Sequence, residues 1–145
     1  MSRHGYVDDY DFDEDANLLM GRWQGRVKSA MRGKRGQEFF RDLIAALDAM
    51  PVKELHAHNV SGTCLCAMGA VGAYRGVDLS DQQEDLDEPY GDHEGATERT
   101  GAALNIAPSM AREVAYENDE GPLRETPAHR WDRMRRWAVS KLNTA

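Results

Sequence analysis

The sequence predicts a mainly α, single-domain bundle of about five helices with one short β-hairpin near residues 54–66. Three observations predict it. Apolar residues recur at three- and four-residue steps along much of the chain. Caps and breakers such as Pro51, Gly76 and the Thr126-Pro127 pair punctuate those stretches. The length of 145 residues, with 41% hydrophobic and 30% charged content, suits one domain around one core.

In chain order, residues 1–16 form an acidic arm and residues 17–145 the helical domain. The first helix spans Asn17 to Arg32, with Asp15 as its N-cap and an apolar stripe of Met20, Trp23, Val27, Ala30 and Met31. Gly33-Lys34-Arg35-Gly36 breaks the pattern. A second helix from Gln37 to Met50 presents Phe40, Leu43, Ile44, Leu47 and Met50 on one face, and Pro51 closes it. The pair reads as a helical hairpin or a helix-turn-helix corner. A groove-reading helix would begin with exposed Arg, Asn, Gln or Ser, however, and this one begins Gln37-Glu38-Phe39-Phe40.

Val52-Lys53-Glu54-Leu55-His56-Ala57-His58-Asn59-Val60, the Ser61-Gly62 turn and Thr63-Cys64-Leu65-Cys66 suggest the hairpin. Helix resumes near Ala67 and ends at Gly76. The stretch from Asp78 to Glu98 reads as a long acidic loop, of a length that compact domains seldom carry without a role. A short helix from Glu98 to Leu104 follows. Pro108 opens the next, with Met110, Ala111, Val114 and Ala115 inward and Asn118 near its end. Asp119-Glu120-Gly121-Pro122 is turn chemistry. Thr126 then caps a last helix that begins with Pro127 and repeats Trp131, Met134, Ala138 and Leu142.

Twenty-five acids against 18 bases give a net charge of -7, but the charges segregate into blocks of alternating sign. Acids dominate residues 1–15 and 78–98, and bases dominate 22–41 and 124–141. Such runs are solvated faces that pair loosely with one another, or two opposed binding surfaces: an acidic one for a basic groove on a protein, and a basic one for phosphates.

No segment reaches the roughly 20 apolar residues of a membrane span, and no secretory h-region opens the chain. Cys64 and Cys66 are too close for an unstrained disulfide, whose Cα atoms sit about 5.5 Å apart. Both features point to the cytoplasm.

His56-Ala57-His58 and Cys64-Leu65-Cys66, on adjacent strands, would offer Zn²⁺ four ligands. Single-residue intervals are nevertheless tighter than the usual ones, and cysteine is a common small core residue. No cofactor is therefore expected. Cys66 with a histidine would be a nucleophile–base pair, yet nothing in the spacing fixes that geometry. The Gly33–Gly36 turn lacks the P-loop pattern; the helix start beside Lys34 and Arg35 would suit a phosphate or a carboxylate, or is an ordinary turn. Glu117, Asp119 and Glu120 would attract a cation or form a solvated helix end. No catalytic residue is assigned, and the expectation is a protein that is not an enzyme.

The spans Gly25-Arg26-Val27-Lys28 through Gly33-Lys34-Arg35-Gly36-Gln37, Leu47-Asp48-Ala49-Met50-Pro51, Cys66-Ala67-Met68-Gly69-Ala70, Tyr116-Glu117-Asn118-Asp119-Glu120, and Thr126-Pro127 with Arg130-Trp131, Met134-Arg135 and Trp137 resemble a family of small bacteriophage and prophage proteins. They stand in the same order and cover most of Gly25 to Leu142. The family carries no assigned activity, so the resemblance implies origin and not mechanism. The acidic arm and His56, His58 and Cys64 depart from the family's pattern.

From that origin and the absence of an active-site signature, the expectation is a phage-encoded protein in the cytoplasm of a bacterial host. It would bind a macromolecular partner, concretely as an inhibitor of a bacterial defence complex, anti-CRISPR-like or otherwise anti-defence. The acidic residues expected to carry this are Asp8, Asp9, Asp11, Asp13, Glu14 and Asp15 in the arm, and Asp81, Glu84, Asp85, Asp87 and Glu88 in the loop. The alternative is nucleic-acid binding through Arg22, Arg26, Lys28, Arg32, Lys34 and Arg35, helped by Arg133 and Arg136. A third possibility is a virion or assembly component with Trp131 and Trp137 at a subunit contact. Neither a membrane nor a small-molecule substrate is expected.

Overall fold

The structure, a computed structural model, describes residues 2–6 and 14–143, with side chains described at 2–6 and 21–143. Asp8, Asp9, Asp11 and Asp13 lie outside the described residues, and the side chains of Glu14 and Asp15 do as well. Among the described residues there are seven helices: α1 (Glu14–Arg32), α2 (Lys34–Ala49), α3 (Ala67–Arg75), α4 (Ser80–Asp87), α5 (His93–Ala103), α6 (Pro108–Asp119) and α7 (Pro127–Ser140). There is no strand among the described residues. The mainly α expectation holds, while the count of about five and the hairpin do not.

α2 and α6 are the two hubs. α2 packs against α1, α3 and α7; α6 packs against α1, α3, α5 and α7; α4 rests on α5. Phe39, Phe40, Leu43 and Leu47 of α2 are wholly buried, as are Met110, Ala111, Val114 and Ala115 of α6 and Met134 and Ala138 of α7. Phe40 meets the edge of Trp137 at 5.3 Å between ring centroids, and the Trp131 indole donates to the Leu47 carbonyl. Both tryptophans thus pack on the core.

Gly33 alone separates α1 from α2, so the second helix starts at Lys34 and not at Gln37. A Cβ on Gly36 would collide with the Ala30 and Met31 carbonyls, so this glycine lets the end of α1 abut the start of α2. Gln37, buried one residue further on, donates to the Met31 and Lys141 carbonyls and accepts from the Asn143 amide. One amide side chain thereby ties α1, α2 and the end of α7 together, with its polar atoms satisfied.

The expected hairpin fails on backbone geometry. His56 N–H donates to Leu65 and Cys66 N–H donates to Asn59, two bonds whose partners do not share one antiparallel register. Between them the chain folds on itself at Ala57–Asn59, with His58 at φ 67°, and Gly62 sits at φ 98°. Positive φ at a non-glycine residue is incompatible with a continuous strand.

The stretch 78–98, expected as a loop, is mostly helical: it holds all of α4 and the start of α5. α4 has no buried residue, and only partly buried Leu86 reaches the core. Its anchors lie elsewhere in the chain. Gln83 accepts from the Val60 and Ser61 amides, and Arg99 donates to Gln82 and Asp85. Asp92 caps α5 by accepting from Gly95 N–H.

Candidate interaction surfaces

The acidic edge is built on α4. Asp85 and Asp92 sit 2.7 Å and 3.6 Å from Arg99, and Asp87 accepts from Gln83. Asp81, Glu84, Asp87 and Glu88 are exposed and have no cationic partner among the described residues. Of the five loop acids singled out from the sequence, Asp85 alone is half-buried and neutralised.

The two basic blocks differ. Arg22, Arg26, Lys28, Arg32, Lys34 and Arg35 are all exposed; among the described residues none has a carboxylate within 4 Å, and Arg35 makes only a 3.3 Å bond to Asn105. In α7, Arg133 is bound bidentately to Glu125 and also donates to the Glu117 and Asn118 carbonyls at the end of α6. Arg130 adds a bond to the Asn118 carbonyl. Arg136 pairs with Asp132 one turn away. Arg133 therefore leaves the set of candidate phosphate ligands, because its donors are spent closing α6.

The His and Cys residues do not assemble. Cys66 is wholly buried, whereas Cys64 is exposed, and both are free thiols. Cys64 and His56 line an apolar cavity of about 560 Å³ between the end of α2 and α3, floored by Ala46, Ala70 and Ala73. His58 turns away from it, placing Nδ1 3.3 Å from Asp119. Among the described residues no group of three or more His, Cys, Asp or Glu side chains is placed to hold a metal ion.

What the sequence left hidden is a buried polar cluster at the end of α6. Residues 2–6 do not behave as an arm. Arg3 is 1% exposed and grips Asp119 through Nε at 2.6 Å and Nη2 at 2.9 Å, with its other terminal nitrogen 3.5 Å from the Cys66 sulfur. Asp119 also accepts from the His58 amide and from Asn118. Asn118, buried itself, accepts from Ala67 N–H and donates to the His56 carbonyl. It thereby caps α3, whose own N-cap Cys66 makes no side-chain capping bond.

Burial pushes the Asp119 carboxyl up, but the Arg3 guanidinium outweighs it and holds the group below its ordinary value. Burial pushes the His58 imidazole down, with Arg3 and Arg130 working against Asp119 and Glu120. Glu117 is pushed up by burial and by Glu113.

The rest of the segment is equally engaged. His4 Nδ1 accepts from Tyr6 N–H, which leaves Nε2 to donate to Glu120 at 2.8 Å. Tyr6 donates to Glu113 and accepts from Trp23, while the Arg112 guanidinium lies 4.6 Å from the Trp23 ring centre and donates to the His4 carbonyl. Arg3 and Asp119 were legible only as a lone base in an acidic arm and a turn acid. Their pairing across 116 residues left no local trace.

Comparison of the chain with protein-family models, with curated proteins and with solved structures finds no match. Among the described residues, no helix is long and apolar enough to cross a membrane.

Proposed function

We propose that this is a non-catalytic binding protein that sets its acidic edge into a basic groove of a macromolecular partner. Given the resemblance to phage proteins, the concrete partner is a bacterial defence complex that the protein inhibits in the cytoplasm of an infected host. One observation carries the reading: α4 buries no residue of its own, yet it is held in place by Gln83 and Arg99, with Asp81, Glu84, Asp87 and Glu88 turned to solvent. Three carboxylates on a fixed helix and a fourth at its C-cap, with no cationic partner among the described residues, steer a cationic partner and discriminate against an anionic one. Support for the absence of catalysis comes from Cys66, the thiol weighed as a nucleophile in the sequence, which lies wholly buried beside Arg3.

The test is affinity purification from bacterial lysate with and without nuclease, using the native sequence and the D81N/E84Q/D87N/E88Q variant. The expected result is a stoichiometric protein partner that survives nuclease and is lost with the variant. An identical set of captured proteins for both chains would overturn the acidic-edge reading.

A further inference from the structure

We infer that the exposed arc of α1, continued into the first turn of α2, binds the phosphate backbone of nucleic acid. This second surface does not depend on the acidic-edge reading. From Gly21 to Gln37 the chain holds six Lys or Arg and no Asp or Glu. All six bases, Arg22, Arg26, Lys28, Arg32, Lys34 and Arg35, are exposed.

Several exposed or half-buried arginines elsewhere in the molecule find carboxylates, among them Arg75 with Asp42, Arg99 with Asp85, Arg135 with Asp48 and Arg136 with Asp132, whereas exposed Arg41 and Arg124 have none among the described residues. On this arc no such pair forms among the described residues.

The geometry suits a polyanion. Arg22 and Arg26 are one turn apart along one side of the arc, and Lys28 and Arg32 one turn apart along the other. From Arg22 to Arg32 the helix rises about 15 Å, a length over which one DNA strand presents about four phosphates. Between the bases stand Gly21, Gly25 and Ser29, and a Cβ on either glycine would meet nothing within 4 Å, so the helix surface stays low for a backbone to approach. At the end of the arc a recess of about 250 Å³ lies among Ser29, Gly33, Lys34 and Arg35.

Base-edge readers are scarce, Gln24 being the one amide on the arc, which points to binding without sequence preference. The net charge of -7 does not forbid it. α4 rests on α5, whereas α1 rests on α2 and α6, so the acidic and basic surfaces are built on different helices.

The test is fluorescence anisotropy with a labelled 20-base-pair DNA duplex, and the same sequence as RNA, from 50 to 300 mM KCl, beside light scattering of the protein alone. If all six bases meet phosphates, the logarithm of the association constant falls against the logarithm of salt with a slope of about -5 on DNA. R22Q/R26Q/K28Q should flatten that slope by about 3 and weaken binding at low salt at least tenfold. R135Q, whose guanidinium is already held bidentately by Asp48, should change neither by more than about twofold. Circular dichroism reports whether each variant is folded. No binding at 50 mM KCl, or binding that the triple variant leaves intact, would overturn the inference. So would self-association at low salt, abolished by the triple variant, without any nucleic-acid binding: the arc would then serve the acidic edge of a second copy.

Discussion

α1 and α7 are both amphipathic, both basic and both carry tryptophan on the apolar side, yet the structure uses their arginines in opposite ways. In α7, Arg130 and Arg133 reach the last carbonyls of α6 and the Glu125 carboxylate, which is 1% exposed. In α1, Arg22 and Arg26 reach no carboxylate among the described residues. Charge density does not separate a structural arginine from one available for binding. What separates them is whether the fold brings a helix end with orphan carbonyls, or a buried acid, within reach.

The contrast can be broken at its strongest point with Arg3, the arginine most deeply committed to the fold. Replacing it by alanine leaves Asp119 buried without its counter-charge, and urea unfolding should register a loss of about 3–5 kcal/mol. A loss below about 1 kcal/mol would mean that the N-terminal segment is not part of the folded unit.

Next in size, Arg133→Gln should cost about 1.5–3 kcal/mol in the same assay, the range for hydrogen bonds to charged groups. Arg26→Gln should stay within about 0.5 kcal/mol. Equal effects at the two positions would erase the distinction between the helices.

The smallest effect is in pH. Asp119 has its folded-state value depressed below the ordinary 3.8, so its stabilisation is complete above that value and disappears as pH falls through the folded-state value. His58, also depressed from 6.5, works in the same direction, its contribution declining as pH falls below that value. Glu117, raised above 4.5, works in the opposite direction. Asp119 itself favours the charged form of His58, so the comparison is made in a His58→Asn background, where Asp119→Asn leaves Glu117 in place and the difference in unfolding free energy between the two chains should shrink from pH 6 to pH 3. A difference independent of pH would rule out an ionised Asp119.

The same contrast explains what the sequence could reveal. α3, α6 and α7 were readable because their ends are written locally: Gly76 in the left-handed conformation, Pro108 at the first turn, and Thr126 accepting from His129 N–H. α4 was not, since Ser80–Asp87 has no apolar stripe and its anchors, Val60, Ser61 and Arg99, belong to other segments. The 54–66 region misled because apolar alternation imitates a strand, while the His58 conformation that breaks it is imposed by Asp119 and the surrounding packing. The charged surfaces were legible as charges. Their sorting into paired and unpaired required the fold, as Arg133 and Asp85 show.

The Arg3–Asp119 pair also sets an order of events. Its partners are 116 residues apart, so residues 2–6, which leave the ribosome well before α6, cannot take their place until the end of α6 has followed them out. Synthesis at about 5–20 residues per second gives that segment several seconds or more of waiting. In the later part of that interval, once they have themselves been made, the Cys66 thiol and the α3 N-terminus lack the side chains that cover and cap them in the finished molecule, and they are open to whatever in the cell reacts with a free thiol or clasps an incomplete helix end.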